Sequence, residues 1–187
     1  MNTPIASRDP RVDELLIIRC QLGERAAFDA LIARWHEPLW RYLRRLSNND
    51  DVARDFTQDT WLRVLRAVAT LRDAAKFRAW LFGIARRVAM DRLRALYAQA
   101  PHCDVSVDDI AAEAPDVNLE TEFATLESSV ASLAIVERET VTLFYLRELS
   151  LEEIAELTGV PVGTVKSRLF RARRQLRDAI EQPGSQP

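Results

Sequence analysis

The sequence predicts an all-α fold: two small helical domains, an N-terminal helical bundle and a C-terminal helix-turn-helix, joined by an acidic flexible linker. Three observations carry this. Gly and Pro are sparse, five and eight residues in 187, while Ala, Leu, Arg and Glu dominate, a composition that favours helix nearly throughout. No segment alternates apolar and polar residues between hairpin turns, so strands are not expected. Between Ala98 and Glu122 the helical periodicity breaks down around Pro101, Pro115 and scattered acids, a stretch too polar to fold alone. The division is therefore residues 1–97, a linker over 98–122, a second domain over 123–182, and a disordered tail over 183–187.

In the first domain the periodicity predicts four helices. The first runs from about Val12 to Gln21 on Leu15, Leu16 and Ile18. The second, from about Glu24 to Leu46, turns Phe28, Leu31, Ile32, Trp35, Leu39, Tyr42, Leu43 and Leu46 inward, with Pro38 as a point of kinking or interruption. Asn48, Asn49 and Asp50 supply a turn and a cap for the third helix, Asp51 to Ala69, whose expected core side is Val52, Phe56, Leu62, Val64, Leu65 and Val68. The fourth spans about Phe77 to Tyr97, with Phe77, Leu81, Ile84, Val88 and Leu96 as core.

The second domain ends in the most legible segment of the chain. Ser150 caps one helix, and Glu153 three residues on completes the spacing of a capping box. Leu151, Ile154, Ala155 and Leu157 give that helix its apolar stripe. Gly159 stops it, and Pro161 suits the first turn of the next. Two helices around a short Gly-containing turn make a helix-turn-helix. In the second of them Val162, Val165, Leu169, Ala172 and Leu176 share one face. Gly163, Ser167, Phe170, Arg171 and Arg174 share the other, with Lys166 at its flank. Six bases and no acid lie between Gly163 and Arg177. Such a face suits a phosphate backbone and base edges in a major groove. A solvated basic helix is the bland alternative. Phe170 argues against it, because an aromatic on a polar face needs a partner such as a thymine methyl.

Charge is segregated behind a net value of −2. Residues 1–94 hold eighteen bases against twelve acids, residues 95–137 nine acids and no base, and residues 138–187 eight bases against seven acids. The ends tolerate nucleic acid and the middle repels it. Two further surfaces stand out. The connection from Leu71 to Lys76, followed by Phe77, Arg78, Ala79 and Trp80, mixes bases with aromatics, and Arg86 and Arg87 continue it. Such a surface can stack unpaired bases and hold their phosphates, although a plain solvated face has the same composition. On the third helix Asp55, Gln58, Asp59 and Trp61 cannot all point inward, which leaves either a polar docking patch with an exposed aromatic or an ordinary amphipathic helix.

Other classes find no support in the sequence. No apolar run is long enough to cross a bilayer and no signal peptide opens the chain, so a cytoplasmic protein is expected. Cys20 and Cys103 read as two reduced thiols, and His102 beside Cys103 is too little for a metal site. There is no phosphate-cradling Gly-rich loop and no nucleophile–base set, so neither an enzyme nor a bound cofactor is expected.

In this order the segments resemble the extracytoplasmic-function sigma factors, promoter-specificity subunits of bacterial RNA polymerase. Gly23 to Phe28 resembles the family's opening helix. Asp55, Gln58, Asp59, Thr60, Trp61 and Leu62 resemble its polymerase-docking helix. Phe77 to Leu81 with Ile84, Ala85 and Arg86 resembles its promoter-melting segment, and Val160 to Arg173 its recognition helix. The resemblance implies that Asp55, Gln58, Asp59 and Trp61 dock on core RNA polymerase. It implies that Arg72, Asp73, Lys76, Phe77, Arg78, Trp80, Arg86 and Arg87 open and hold the −10 strand, and that Lys166, Ser167, Phe170, Arg171 and Arg174 read the −35 duplex. The linker would thread the polymerase interior, and an anti-sigma factor is a further expected partner.

Two departures from the family pattern carry expectations of their own. Where the docking helix usually has an acidic cluster, this chain has Val52, Ala53, Arg54 and Asp55, with Asp50 and Asp51 as candidates to compensate. Thr57 and Thr60 are candidate phosphosites for a Ser/Thr kinase, since a phosphate would add about −1.5 to −2 charge there. Position 87 is Arg where the family often has a base-contacting Asn, so its −10 preferences do not carry over. The rival reading is a stand-alone helix-turn-helix regulator, which explains the C-terminal half equally well and leaves the docking patch and basic connection without a role.

Overall fold

The computed structural model describes residues 9–98 and 122–181, and among these every regular element is helical. The linker between them, Cys103, His102 and the 183–187 tail lie outside the described residues. Four helices form a first lobe: α1 (Pro10–Gln21), α2 (Arg25–Ser47), α3 (Asp50–Ala67) and α4 (Phe77–Ala98). A second lobe holds α5 (Glu122–Ser132), α6 (Ile135–Val141), α7 (Leu151–Thr158) and α8 (Val162–Glu181).

Local chemistry sets most boundaries. The Asn49 side chain accepts from the Asp51 and Val52 amides and starts α3 (3.0 and 3.1 Å), after Asn48 ends α2 in the left-handed region. Pro38 sits inside α2, which runs through it without interruption. Ser150 Oγ accepts from the Glu153 amide (3.1 Å) while the Glu153 carboxylate accepts from the Ser150 amide (2.8 Å), so the capping box of α7 is complete. Gly159 ends α7 at φ +72°, where a side chain would be strained.

Leu31, Leu39, Tyr42, Leu43, Leu81, Phe82 and Val88 fill the first lobe, with Trp35 and Tyr42 set edge-on to Phe82. Leu133, Leu143, Leu149, Ile154, Val165, Leu169 and Ala172 fill the second. The two lobes pack together through α2 against α6 and α4 against α7.

The third helix is rotated from the expected phase. Ala53, Phe56, Thr57, Thr60, Trp61 and Val64 face the core, whereas Leu62 and Leu65 are 45 % and 54 % exposed. The two threonines can occupy core positions because each hydroxyl donates to the carbonyl one turn back, Thr57 to Ala53 and Thr60 to Phe56, both at 2.7 Å. Leu15 and Ile18 of α1 also face outward.

Candidate nucleic-acid interface

The helix-turn-helix lays α8 across α6 and α7 by its apolar side. Val165, Leu169 and Ala172 are buried and Val162 and Leu176 partly so, which forces the other side out: Lys166, Ser167, Phe170, Arg171 and Arg174 are all exposed. Phe170 is 67 % exposed and stands between Lys166 and Arg171 as an apolar contact point in a cationic face. Ser167 donates to the Thr164 carbonyl (2.9 Å), and Arg174 lies 3.9 Å from Asp178 one turn on. Arg171 donates to the buried Glu137 of α6 at 2.7 Å. Arg173, just off this face, stacks its guanidinium on Tyr145.

The basic connection between α3 and α4 is built from two short 3₁₀ turns, Val68–Thr70 and Ala74–Lys76. Gln21 of α1 pins its start by donating to the Val68 and Leu71 carbonyls (3.2 and 2.8 Å). Asp73 caps the second turn by accepting from the Ala75 amide (3.1 Å). Arg72, Asp73 and Lys76 are exposed, as is Arg87, and Trp80 is half-buried against Phe77. Phe77 is a correction: it is 1 % exposed, wedged against Trp35, because it opens α4 on the side facing the bundle. It can line a site but not reach out to a strand.

Beneath this connection lies a cavity of about 120 Å³ whose walls include Trp35, Phe77, Ala74, Arg78 and Asp13. Asp13 is buried and holds its wall rigid, accepting from Arg34 (2.6 Å) and from the Trp35 indole N–H (3.0 Å). Asp13 and Trp35 were not legible as site residues. Trp35 sits in an ordinary apolar stripe, and only the fold brings α1 beside the connection.

On α3, Asp55, Gln58, Leu62 and Leu65 form one exposed stripe at steps of three and four. Asp59 is partly buried and paired with Arg92 of α4 (2.7 Å). Trp61 is a second correction. It is 8 % exposed and meets Phe28 edge-on, so the docking face contains two leucines in place of an exposed aromatic. Thr57 and Thr60 are a third, being 2 % and 0 % exposed with their hydroxyls engaged in the helix, so a kinase cannot reach them in this fold. The expected compensation by Asp50 and Asp51 is also spent locally, on Arg44 and on Arg54 (2.6 Å for the latter).

Between the lobes lies a buried polar network. Glu139 of α6 is fully buried, accepts from Tyr42 Oη (2.9 Å) and pairs with Arg86 Nε (3.1 Å). Burial raises its carboxyl above the ordinary range even though Arg86 and Tyr42 pull the other way. Burial, with the Glu139 charge second, pushes the Tyr42 hydroxyl well up. Arg138, also buried, donates to the Arg45 and Leu133 carbonyls (2.9 and 3.0 Å), and Arg78 donates to the Glu148 carbonyl (3.0 Å). Among the described residues no cluster of His, Cys, Asp and Glu could hold a metal ion, and no helix is long and apolar enough to cross a membrane.

A helix-turn-helix with a cationic outward face, carried beside a bundle with a basic, aromatic-walled connection, is the arrangement of a sigma subunit of RNA polymerase. Residues 31–98 match the Sigma-70 region 2 family and residues 124–176 match Sigma-70, region 4. The chain is 32% identical over 187 residues to the ECF RNA polymerase sigma-E factor of Escherichia coli, covering 90% of this chain and 94% of that one. It is 30% identical over 181 residues to the sigma-E factor of Haemophilus influenzae (90% and 95% covered) and to the RNA polymerase sigma-H factor of Pseudomonas aeruginosa (90% and 94%). Among solved structures it is similar to CnrH in complex with the cytosolic domain of CnrY, with 26% identity, TM-score 0.66, and 91% and 97% of the two chains covered. The fold is also that of the sigma factor RpoE bound to the anti-sigma factor NepR from Bartonella quintana (24% identity, TM-score 0.66, 82% and 96% covered). The chain belongs to the extracytoplasmic-function sigma factors, and it is a promoter-recognising sigma subunit.

Proposed function

We propose the following division of labour for this sigma subunit. The first lobe docks on core RNA polymerase through the Asp55, Gln58, Leu62 and Leu65 stripe of α3. Leucines flanked by a carboxylate and a carboxamide suit a protein partner, where apolar anchors supply most of the affinity. The connection from Arg72 to Lys76 faces the −10 strand. The cavity beneath it, with Trp35 and Phe77 in its lining, receives one unstacked base, while Arg72, Lys76, Arg78 and Arg87 hold phosphates. Extracting a base from a duplex costs a few kcal/mol, and a rigid aromatic-walled cavity with cationic rims offsets that cost.

The second lobe reads the −35 element as intact duplex. Lys166, Ser167, Phe170 and Arg171 face bases and phosphates, and Arg174, further along the helix, faces phosphate. The observation that carries this reading is the outward face of α8, five exposed groups suited to nucleic acid on a helix whose other side is locked in the core. An anti-sigma partner is expected, given the complex with the anti-sigma factor NepR in which the similar sigma factor RpoE was solved. The protein acts by binding, and no reaction is assigned to it.

Reconstitution with core RNA polymerase, followed by mapping of the transcripts it starts, tests this directly. The holoenzyme is expected to initiate at a discrete promoter set. Lys166→Ala with Arg171→Ala should abolish initiation at −35-dependent members, each lost base contact costing about 1–3 kcal/mol. Full activity in the double variant would overturn the assignment of the recognition face.

A further inference from the structure

The cavity beneath the connection between α3 and α4 has a carboxylate in its wall, a group out of place where a polyanion is to enter. Asp13 of α1 is 8 % exposed and lines the cavity together with Trp35, Ala74 and Phe77. Its charge is balanced by Arg34 at 2.6 Å, so it does not repel a strand as a lone acid would. Both of its hydrogen bonds, from Arg34 Nε and from Trp35 Nε1, fall on Oδ1. Oδ2 accepts from no described residue, and it is the oxygen that Asp13 has left to offer. The residue therefore presents the cavity with one acceptor and no donor.

That acceptor is held in place. Oδ1 is tied to two donors on α2, and the Trp35 ring that carries one of them is buried edge-on against Phe77 and Phe82. For a base drawn into the cavity, Oδ2 is a partner for an N–H and a penalty for a carbonyl oxygen. The 6-amino group of adenine and the 4-amino group of cytosine supply the N–H, where guanine and thymine carry an oxygen. Guanine's N1–H and N2–H lie side by side and call for both oxygens of a carboxylate, one of which is already taken here. Thymine's N3–H lies between two carbonyls, which approach the carboxylate with it.

We infer that Asp13 is a specificity-determining residue, and that the cavity selects a base with an amino group in the place of the keto oxygen: adenine or cytosine over guanine or thymine. This rests on the proposed entry of an unstacked −10 base into the cavity. Glu153 of α7 also touches the cavity, but it comes from the second lobe and its carboxylate closes the α7 capping box.

The test uses holoenzyme reconstituted from the full chain and core polymerase, on a promoter from which it initiates. At each −10 position, one strand carries in turn adenine, cytosine, guanine, thymine or an abasic site. At one position wild type should favour adenine or cytosine over guanine and thymine by roughly ten- to hundredfold in open-complex formation. The adenine and cytosine arms show which ring the cavity accommodates, and either one supports the inference. Asp13→Asn should reverse the preference at that same position. Oδ1 stays with the two donors of α2, so Nδ2 takes the place of Oδ2 and donates to a keto oxygen. Glu14→Gln, on the same helix outside the cavity, should leave the preference as it is. If Asp13→Asn does not fold, wild type carries the test alone. Purine in place of adenine, or pyrimidin-2-one in place of cytosine, removes only the amino group and should lose the advantage.

A position that needs its base yet keeps the same preference in Asp13→Asn, or a wild type indifferent to loss of the amino group there, overturns the role of Asp13. The underlying reading fails separately, when an abasic site costs nothing at any −10 position.

Discussion

The outward faces of α3 and α8 differ in kind, and the difference indicates what each one meets. On α3 the exposed stripe is Asp55, Gln58, Leu62 and Leu65, with the nearby bases and acids largely paired to one another. On α8 it is Lys166, Ser167, Phe170, Arg171 and Arg174 without an acid until Asp178. Exposed leucines are costly to leave in water and worth burying against another protein. Exposed cations are worth little against water but much against a polyanion whose counterions they release. One chain thus carries a protein-binding helix and a DNA-binding helix of similar length and opposite surface chemistry.

The largest expected effect would break the expectation that Trp61 docks on polymerase. Since Trp61 is buried against Phe28, Trp61→Ala should destabilise the first lobe by about 3–5 kcal/mol, read as a lowered denaturation midpoint. Unchanged stability with lost polymerase binding would restore it to the docking surface.

The same contrast shows why α8 was legible and α3 was not. In α7 and α8 every rule is local. The capping box, the left-handed Gly159 and an apolar stripe with no polar intruder fix boundaries and phase without reference to the rest of the fold. In α3 the phase is set by α2 and α4. Once Thr57 and Thr60 bond back to the helix they pack like valines, and Leu62 and Leu65 are left outside. A preference for leucine over threonine as core reverses that face. The inter-lobe ties were illegible for a different reason. Tyr42 and Glu139 are 97 positions apart, and neither belongs to a motif. The cavity depends likewise on Asp13, from a helix whose sequence gave no reason to place it beside the connection.

Leu62→Asp and Leu65→Asp sharpen the comparison from the α3 side. Each should weaken association with core polymerase by about 1–2 kcal/mol, as loss of an apolar anchor does, while leaving the denaturation midpoint nearly unchanged because both side chains are exposed. Pull-down with core enzyme and thermal denaturation read the two quantities separately. Loss of fold with loss of binding would place the leucines in the core after all.

A smaller effect separates the two faces by pH. The Glu139 carboxyl is raised by burial in the packed form and returns toward its ordinary value when the chain unfolds. It is surrounded by Tyr42 of α2, Arg86 of α4 and Arg168 of α8. The packed form therefore binds the proton more tightly. Packing is favoured as pH falls through the window above the ordinary glutamate range and is weakened as pH rises through it. The denaturation midpoint should accordingly fall as pH rises across that window, and Glu139→Gln should flatten the fall. Polymerase docking through the α3 stripe, exposed in the packed form already, should show no matching dependence.

The smallest effect concerns Thr57 and Thr60. Valine matches threonine in shape, and each hydroxyl serves only a carbonyl already within the helix ladder. Removing both hydroxyls trades two modest hydrogen bonds for better burial of apolar atoms, so Thr57→Val with Thr60→Val should shift stability by less than about 1 kcal/mol. Transcription by the reconstituted holoenzyme and by cells carrying the variant should match wild type, because no phosphate is needed on a face these residues do not occupy. A variant that folds normally yet loses transcription only in cells would show that α3 unfolds or rotates to admit a kinase. The stripe of Leu62 and Leu65 would then be only one of two faces that this helix presents.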